Sequence, residues 1–246
     1  MRIAVLADIH ANLEALRTCL AHAEREGATQ YVFLGDLVGY GADPVACLGL
    51  LADHADRGAL LVRGNHDDAA LGGLCESMNF VAREATYWTR AQLGSGERAF
   101  LAALPYTARR DDLLFVHAGV NAPGTWEYIA SSLQAGRCMD AGQARLTFAG
   151  HVHHPSLYFA AGSGVHHFQP VAGAPIPLTG RRRWLAIGGS VGQPRDGNNA
   201  AAYALYDEEQ RMLKYFRLPY DHLSAARKIL AAGLPERLAL RLKKGE

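Results

Sequence analysis

No charge of one sign dominates this chain of 246 residues: 25 Lys and Arg stand against 24 Asp and Glu, a formal net charge of +1. So even a balance supplies no long-range field for nucleic acid or an anionic membrane, although a nucleotide substrate needs only local cationic groups. No apolar run approaches the ~20 residues of a membrane span. Cysteine is scarce. Cys19, Cys47, Cys75 and Cys138 lie far apart and form no CxxC pair, so they read as reduced thiols of a cytoplasmic protein. A secretory leader is not expected either. Arg2 to Ala7 reads as a buried strand, and cleavage within about 15–30 residues would remove Asp8 and His10. Linkers, low-complexity tracts and repeats are also missing, so the expectation is a single domain over residues 1–246.

What the chain does have is an alternation of short apolar runs and helical patterns. After the first run, Leu13, Leu16, Leu20 and Ala23 recur at helical spacing and predict a helix from Leu13 to Ala28. Then come Tyr31-Val32-Phe33-Leu34, a helix from Pro44 to His54, and Ala59-Leu60-Leu61-Val62. This rhythm predicts parallel strands with crossover helices. Residues 68–104 read as a helical insert, and Leu113-Leu114-Phe115-Val116 resumes the sheet. From Leu157 onward, short strands at Trp184–Ile187, Ala202–Leu205 and Met212–Phe216 predict a more antiparallel region. The segment from His222 to Leu242 reads as helical, with a break at Gly233.

Polar residues that no core requires follow each early strand. They are Asp8-Ile9-His10, Gly35-Asp36, Gly64-Asn65-His66-Asp67, His117, and Gly150-His151-Val152-His153. Each fits an ordinary role by itself: a helix cap or turn for Asp8 and Asp36, a tight turn for Asn65, a core-edge histidine for His117. Together they occupy equivalent topological places, and ligands sit outside the carboxyl ends of strands in open α/β sheets. In an extended chain His151 and His153 would face the same way, and neutral imidazole is a common metal ligand.

The ordered set D-x-H, G-D, G-N-H-D, H and G-H-x-H, running from Asp8 to His153, resembles the calcineurin-like metallophosphoesterases. The resemblance implies an α/β fold, a four-layer sandwich of two mixed sheets flanked by helices, with a dinuclear metal site at the strand ends. It also implies that Asp8, His10 and His153 hold one metal, that Asn65, His117 and His151 hold the other, and that Asp36 bridges both. His66 matches the family histidine that faces substrate and stabilises charge or protonates the leaving group. His154 matches no ligand. The nucleophile implied is a hydroxide shared by two divalent transition metals, manganese first, with iron, zinc, cobalt or nickel as alternatives. Asp67 reads as structural, orienting His66 or pairing with a cation.

Departures narrow the class. Serine/threonine protein phosphatases of this superfamily carry an Asp-Arg pair soon after Gly-Asp, where this chain reads Leu37-Val38-Gly39-Tyr40-Gly41. The pattern is more similar to small bacterial phosphodiesterases and phosphatases. The stretch from Gly189 to Gly197 resembles one in a bacterial group of predicted phosphoesterases, which has Asn-Pro where this chain has Gly188. Arg195 suits a substrate phosphate. Asn12 reads as a site contact or a helix cap, and Tyr87 and Trp88 as a stacking wall or as core. The expectation is a phosphodiesterase acting on a small-molecule phosphoester, with cyclic and short nucleotides as candidates. The alternatives are a phosphomonoesterase of small metabolites and a silent metal-binding scaffold. No membrane partner or stable nucleic-acid complex is expected, and a homo-oligomer is left open.

Overall fold

The strand β1 (Arg2–Leu6) is apolar on both faces because both are covered. Ile3 and Val5 point into one core and Ala4 and Leu6 into another, as a period of two requires. β2 (Gln30–Phe33) and β3 (Leu60–Leu61) continue the sheet in parallel, and β11 (Ala201–Asp207) pairs antiparallel on the other side of β1. β12 (Met212–Leu218) and the short β9 (Ile176–Pro177) complete the six-stranded order β3-β2-β1-β11-β12-β9.

The second six-stranded sheet follows the order β4-β5-β6-β10-β7-β8. β5 (Leu113–Val116), β6 (Leu146–Ala149) and β10 (Trp184–Ile187) are parallel. β4 (Thr107–Arg110), β7 (Ser156–Ala161) and β8 (Gly164–Phe168) pair antiparallel around them. The computed structural model describes residues 1–73, 78–180 and 182–246.

Between the sheets, Ile3, Val5 and Val32 meet Phe115, Phe148 and Trp184. Outside the first sheet, α1 (Leu13–Arg25) and α2 (Pro44–Asp56) bury Leu16, Cys19, Leu48 and Leu51. Outside the second, α6 (Ser132–Gly142) buries Ala135, Cys138 and Met139 against Leu114, Val116, Leu185 and Ile187. Each fully buried Leu or Phe contributes about 1.5–3 kcal/mol over an exposed one. The result is the expected helix–sheet–sheet–helix sandwich.

Among the described residues the segment expected to be a helical insert holds the end of α3 (Asn65–Ala70), then α4 (Phe80–Gln92) and α5 (Ser95–Ala103). Cys75, with the rest of residues 74–77, lies outside the described residues. α7 (His222–Ala231) and α8 (Glu236–Lys244) are separated at Gly233, whose φ of 72° is left-handed. Their Ala225, Ile229, Leu238 and Leu242 pack with Ala82, Ala85 and Tyr40, which ties the C-terminal helices to a loop of the first sheet. Among the described residues no helix is long and apolar enough to cross a membrane.

Local details differ from the sequence reading. α1 stops at Arg25 rather than Ala28, because Gly27 N–H donates to Glu24 O at 2.9 Å and Ala28 N–H to Ala23 O at 2.9 Å, which closes the last turn. The third strand shrinks to Leu60–Leu61 at a sheet edge. The run Trp184–Ile187 is not simply antiparallel: β10 is parallel to β6 and antiparallel to β7, joining the two halves of its sheet.

Candidate metal centre

The polar strand ends come from both sheets. After β1, β2 and β3 stand Asp8 and His10, Asp36, and Asn65 with His66; after β5 and β6 stand His117, His151 and His153. The crevice therefore lies where the carboxyl ends of two sheets meet. Asp8, His10, Asp36, His117, His151 and His153 are all buried. Five of them hold left-handed backbones: φ is 54° at Asp8, 49° at His10, 51° at Asp36, 67° at His151 and 64° at His153. That conformation costs a non-glycine residue roughly 1–2 kcal/mol, and such strain collects at functional sites. It also corrects the extended-chain argument for His151 and His153. Both rings enter one cluster because the chain turns sharply at each, while Val152 packs into the core beneath.

Close backbone crossings hold these turns together. A Cβ on Gly64 would lie 2.2 Å from Asp36 N and 2.3 Å from Asp36 Oδ1, so only glycine lets the two loops approach. His66 N–H then donates to Asp36 Oδ1 at 2.8 Å. On the other side, the His151 N–H lies 3.1 Å from both oxygens of Asp8.

The donors and acceptors in the cluster do not balance among themselves. His10 Nδ1 lies 3.2 Å from Val38 O, and His153 Nδ1 lies 2.6 Å from Gln193 O. A carbonyl only accepts, so each Nδ1 carries the hydrogen and each Nε2 presents a lone pair. Those two Nε2 atoms face each other at 3.2 Å. His153 Nε2 is also 3.4 Å from Asp8 Oδ1, and His10 Nε2 is 3.6 Å from Asp36 Oδ2. The second set repeats the pattern. His117 Nδ1 donates to Leu34 O at 2.7 Å, and its Nε2 lies 3.1 Å from Asn65 Oδ1, 3.2 Å from His151 Nδ1 and 3.4 Å from Asp36 Oδ2. Convergent lone pairs are what a cation requires. Asp8, His10, Asp36 and His153 can hold one ion, and Asp36, His117 and His151 another, with Asn65 beside the second. The Oδ2 of Asp36 faces both sets. Mixed nitrogen and oxygen donors suit transition metals better than calcium.

Protein charges alone leave the cluster strained. Burial raises the Asp8 carboxyl to about 7, with nearby Asp36 adding to the rise and His117 offsetting part of it. Burial also works against a charged Asp36, yet His117 and His66 hold its carboxyl well below the usual range. Burial opposes charge on His117, but the Asp36 carboxylate lifts its imidazole to about 9. Burial lowers His151 to about 3 and His10 and His153 well below the ordinary imidazole value. Ions and protons are alternative ways to balance the two carboxylates, and metal binding to such groups releases protons.

Comparison with known proteins agrees with this geometry. A family profile described as calcineurin-like phosphoesterase matches residues 1–155. The chain is similar to a metallophosphoesterase from Sphaerobacter thermophilus, at 35% identity and a TM-score of 0.89, over 100% of this chain and 99% of that one. It is also similar to an uncharacterized protein of Methanocaldococcus jannaschii, 35% identical over 98% of this chain and 96% of the relative. A hypothetical protein from Pyrococcus horikoshii OT3 shares the fold, at 20% identity and a TM-score of 0.81, over 100% of this chain and 98% of that one. The chain belongs to the calcineurin-like phosphoesterase family.

Around this phosphoesterase cluster the structure sorts the remaining candidates. His66 is buried, lines a cleft of about 680 Å³ beside Asn65 and His151, and has no partner for Nδ1. Burial pushes its imidazole down to about 4, with Asp36 offsetting part of the fall. Tyr40, which the sequence marked only as part of an arginine-free loop, packs between His66 at 4.4 Å and His10 at 4.7 Å. Among the described residues Asp67 pairs with no cation and does not bond the His66 ring: its carboxylate accepts from the amides of Leu37, Val38 and Gly64. His154 is exposed.

Asn12 is not brought to the cleft. Its oxygen caps α1 at Ala15 N (3.2 Å), the helix-cap role expected as one of two, and its amide nitrogen donates to Gly192 O (2.9 Å) and Tyr220 Oη (3.0 Å). Ser190 Oγ donates to Asp8 O at 2.8 Å and accepts from Gln193 N at 2.8 Å, building the stretch after Gly189 into the site's frame. Gln193 is spent on protein: its carbonyl receives His153 and its side chain receives Arg195. Arg195 stands over the Tyr40 ring at 5.7 Å, close enough to depress His10, His66 and His153. Trp88 packs with the C-terminal helices, and Tyr87 does not line the cleft. Trp126 and Tyr128 do, and no periodicity announced them because they sit in an irregular loop.

Proposed function

We propose that this phosphoesterase hydrolyses a phosphodiester of a small molecule, a cyclic or short nucleotide suiting the cleft. The observation that carries the reading is the facing pair of lone pairs on His10 and His153 at 3.2 Å, each ring's hydrogen being spent on a carbonyl. In this reading Asp8, His10, His153 and Asp36 would hold one divalent ion, and Asn65, His117, His151 and Asp36 the other, manganese being the first candidate. Bound there, the pair would activate a water as nucleophile and neutralise the phosphoryl oxygens.

The chain's own residues do the rest. His66, which lines the cleft beside Asn65 and His151, would donate to the phosphoryl group and stabilise its developing charge. Tyr40 packs beside that ring and limits its rotation. Arg195 places a cation with no carboxylate partner among the described residues on the Tyr40 side, suited to an outer phosphate oxygen. A cleft of about 680 Å³ accommodates a group on either side of phosphorus, which favours a diester over a small phosphorylated metabolite. Buried free thiols at Cys19, Cys47 and Cys138 support the cytoplasm as its location.

The test is a substrate panel. Stripped protein is reloaded separately with manganese, iron, zinc, cobalt or nickel and assayed on matched diesters and monoesters. Faster turnover of diesters is expected. Turnover of monoesters alone would overturn the diester assignment, and inactivity with every metal would leave the scaffold reading.

A further inference from the structure

The loop after β5 does something the metal cluster does not need. It leaves His117, makes a short 3-10 turn at Pro123–Thr125, and returns through Gly119 N–H donating to Glu127 O at 2.9 Å. That closure carries Trp126 and Tyr128 to the cleft beside the cluster. Trp126 holds a left-handed backbone, φ 59°, and its ring stands edge-on to His117 at 5.7 Å and to Tyr106 at 5.6 Å. Tyr128 stacks on His151 at 4.0 Å and 28°. It remains 51% exposed, although its neighbour Ile129 is buried and anchors the loop. A half-exposed tyrosine and a strained tryptophan over two candidate ligands are costly features for a surface loop.

Three of the polar side chains around this wall already hold protein partners. Asp68 receives Arg63 at 3.0 Å and Tyr106 at 3.3 Å. Thr125 Oγ1 donates to Ala122 O at 2.8 Å, and Asn79 Oδ1 caps α4 at Ala82 N. What this end of the cleft adds to the cluster is a pair of aromatic side chains. A nucleobase stands one sugar away from its phosphate, and Tyr128 covers the imidazole of a residue in the cluster that would receive that phosphate.

We propose that Trp126 and Tyr128 form a stacking site for the base of a nucleotide ester and so determine which phosphoesters are bound. The assignment rests on the phosphoesterase reading and adds the residues that select within it. Stacking without polar readout tolerates any base, so the enzyme would distinguish nucleotides from base-free esters but adenine only weakly from other bases.

The experiment measures binding of AMP and of ribose 5-phosphate to manganese-loaded protein by calorimetry, with manganese content determined for each variant. Wild type is expected to bind AMP roughly tenfold or more tighter than ribose 5-phosphate. Tyr128→Ala and Trp126→Ala should bring that ratio close to one, and Tyr128→Phe should preserve it. AMP should also quench tryptophan fluorescence in wild type and not in Trp126→Phe, where Trp88 and Trp184 remain. Equal affinities in wild type, or an unchanged ratio in both alanine variants, would overturn the stacking site. A Tyr128→Ala protein that loses manganese but keeps the ratio would also overturn it, making Tyr128 a support for His151. Failure of both ligands to bind would instead strike the phosphoester reading.

Discussion

The carboxylate of Asp67 accepts the amide hydrogen of Leu37 at 2.8 Å, thirty residues back in the sequence, and thereby fixes the loop that carries Asp36. The same oxygen receives Val38 N–H at 3.2 Å, and the other oxygen receives Gly64 N–H at 2.8 Å. One side chain thus clamps the loops after β2 and β3. The amides of Leu37, Val38 and Gly64 lie in buried backbone, and an unsatisfied buried amide costs about 1–3 kcal/mol.

Asp67→Asn should break that clamp while nearly conserving shape. The amide's NH2 must face either Gly64 N–H or the Leu37 and Val38 pair, so donor meets donor. A loss of about 2–4 kcal/mol of stability is expected, read as a lower denaturation midpoint in chelator-treated protein. An unchanged midpoint would show that the three hydrogen bonds contribute nothing net.

Gly64→Ala is a steric version of the same question. The added methyl would meet backbone and carboxylate of Asp36 at 2.2–2.3 Å, and neither is the free end of a flexible chain. The loops must separate, at a cost of about 1–3 kcal/mol or more, and metal content measured by elemental analysis should fall with activity. A variant that keeps its full metal load and turnover would mean that the crossing is looser than the distances imply.

Asp36 offers one oxygen to both halves of the cluster, at 3.6 Å from His10 Nε2 and 3.4 Å from His117 Nε2. Wild type should carry about two transition metals per chain after mild purification. Asp36→Asn removes the shared charge, and affinity for the pair should drop by more than the roughly 10–100-fold seen when outer partners of a metal site are removed. Undiminished metal content with full activity would show that another group bridges.

Much of this was legible in the sequence, for a physical reason. Strands buried on both faces read as continuous apolar runs, so Leu113–Val116 and Trp184–Ile187 stand at their expected places. The polar residues that follow the early strands have no business in a core, which is what marked the site. Less visible were groups whose role depends on which loops meet. Gln193 acts through its backbone carbonyl, which no residue type encodes. Ser190 and Tyr40 act on residues far away in the chain. Asn12 left two roles open, site contact or helix cap, and the structure shows its oxygen capping α1. Tyr87 and Trp88 drew notice as aromatics in a helix, whereas the cleft wall came from Trp126 and Tyr128 in a loop without periodicity.

His66 separates catalysis from metal holding. It follows Asn65, but its ring lies against Tyr40 and the cleft, T-shaped to His10 at 5.0 Å, and its Nδ1 finds no partner among the described residues. His66→Ala should therefore keep both metals. It should lose a donor aimed at charge developing in the transition state, a deficit of about 10²–10³ in turnover for comparable donors. If His66 also protonates the leaving group, the deficit should shrink for nitrophenyl esters, whose acidic leaving group departs without help. The measurement is turnover of the variant and wild type on an activated and an unactivated ester, with metal content for both. A variant stripped of metal would make His66 a ligand. Full activity on both esters would remove it from the reaction. Equal loss on both would leave charge stabilisation as its part and discard proton donation, because a group needed only to protonate a poor leaving group cannot matter equally to a good one.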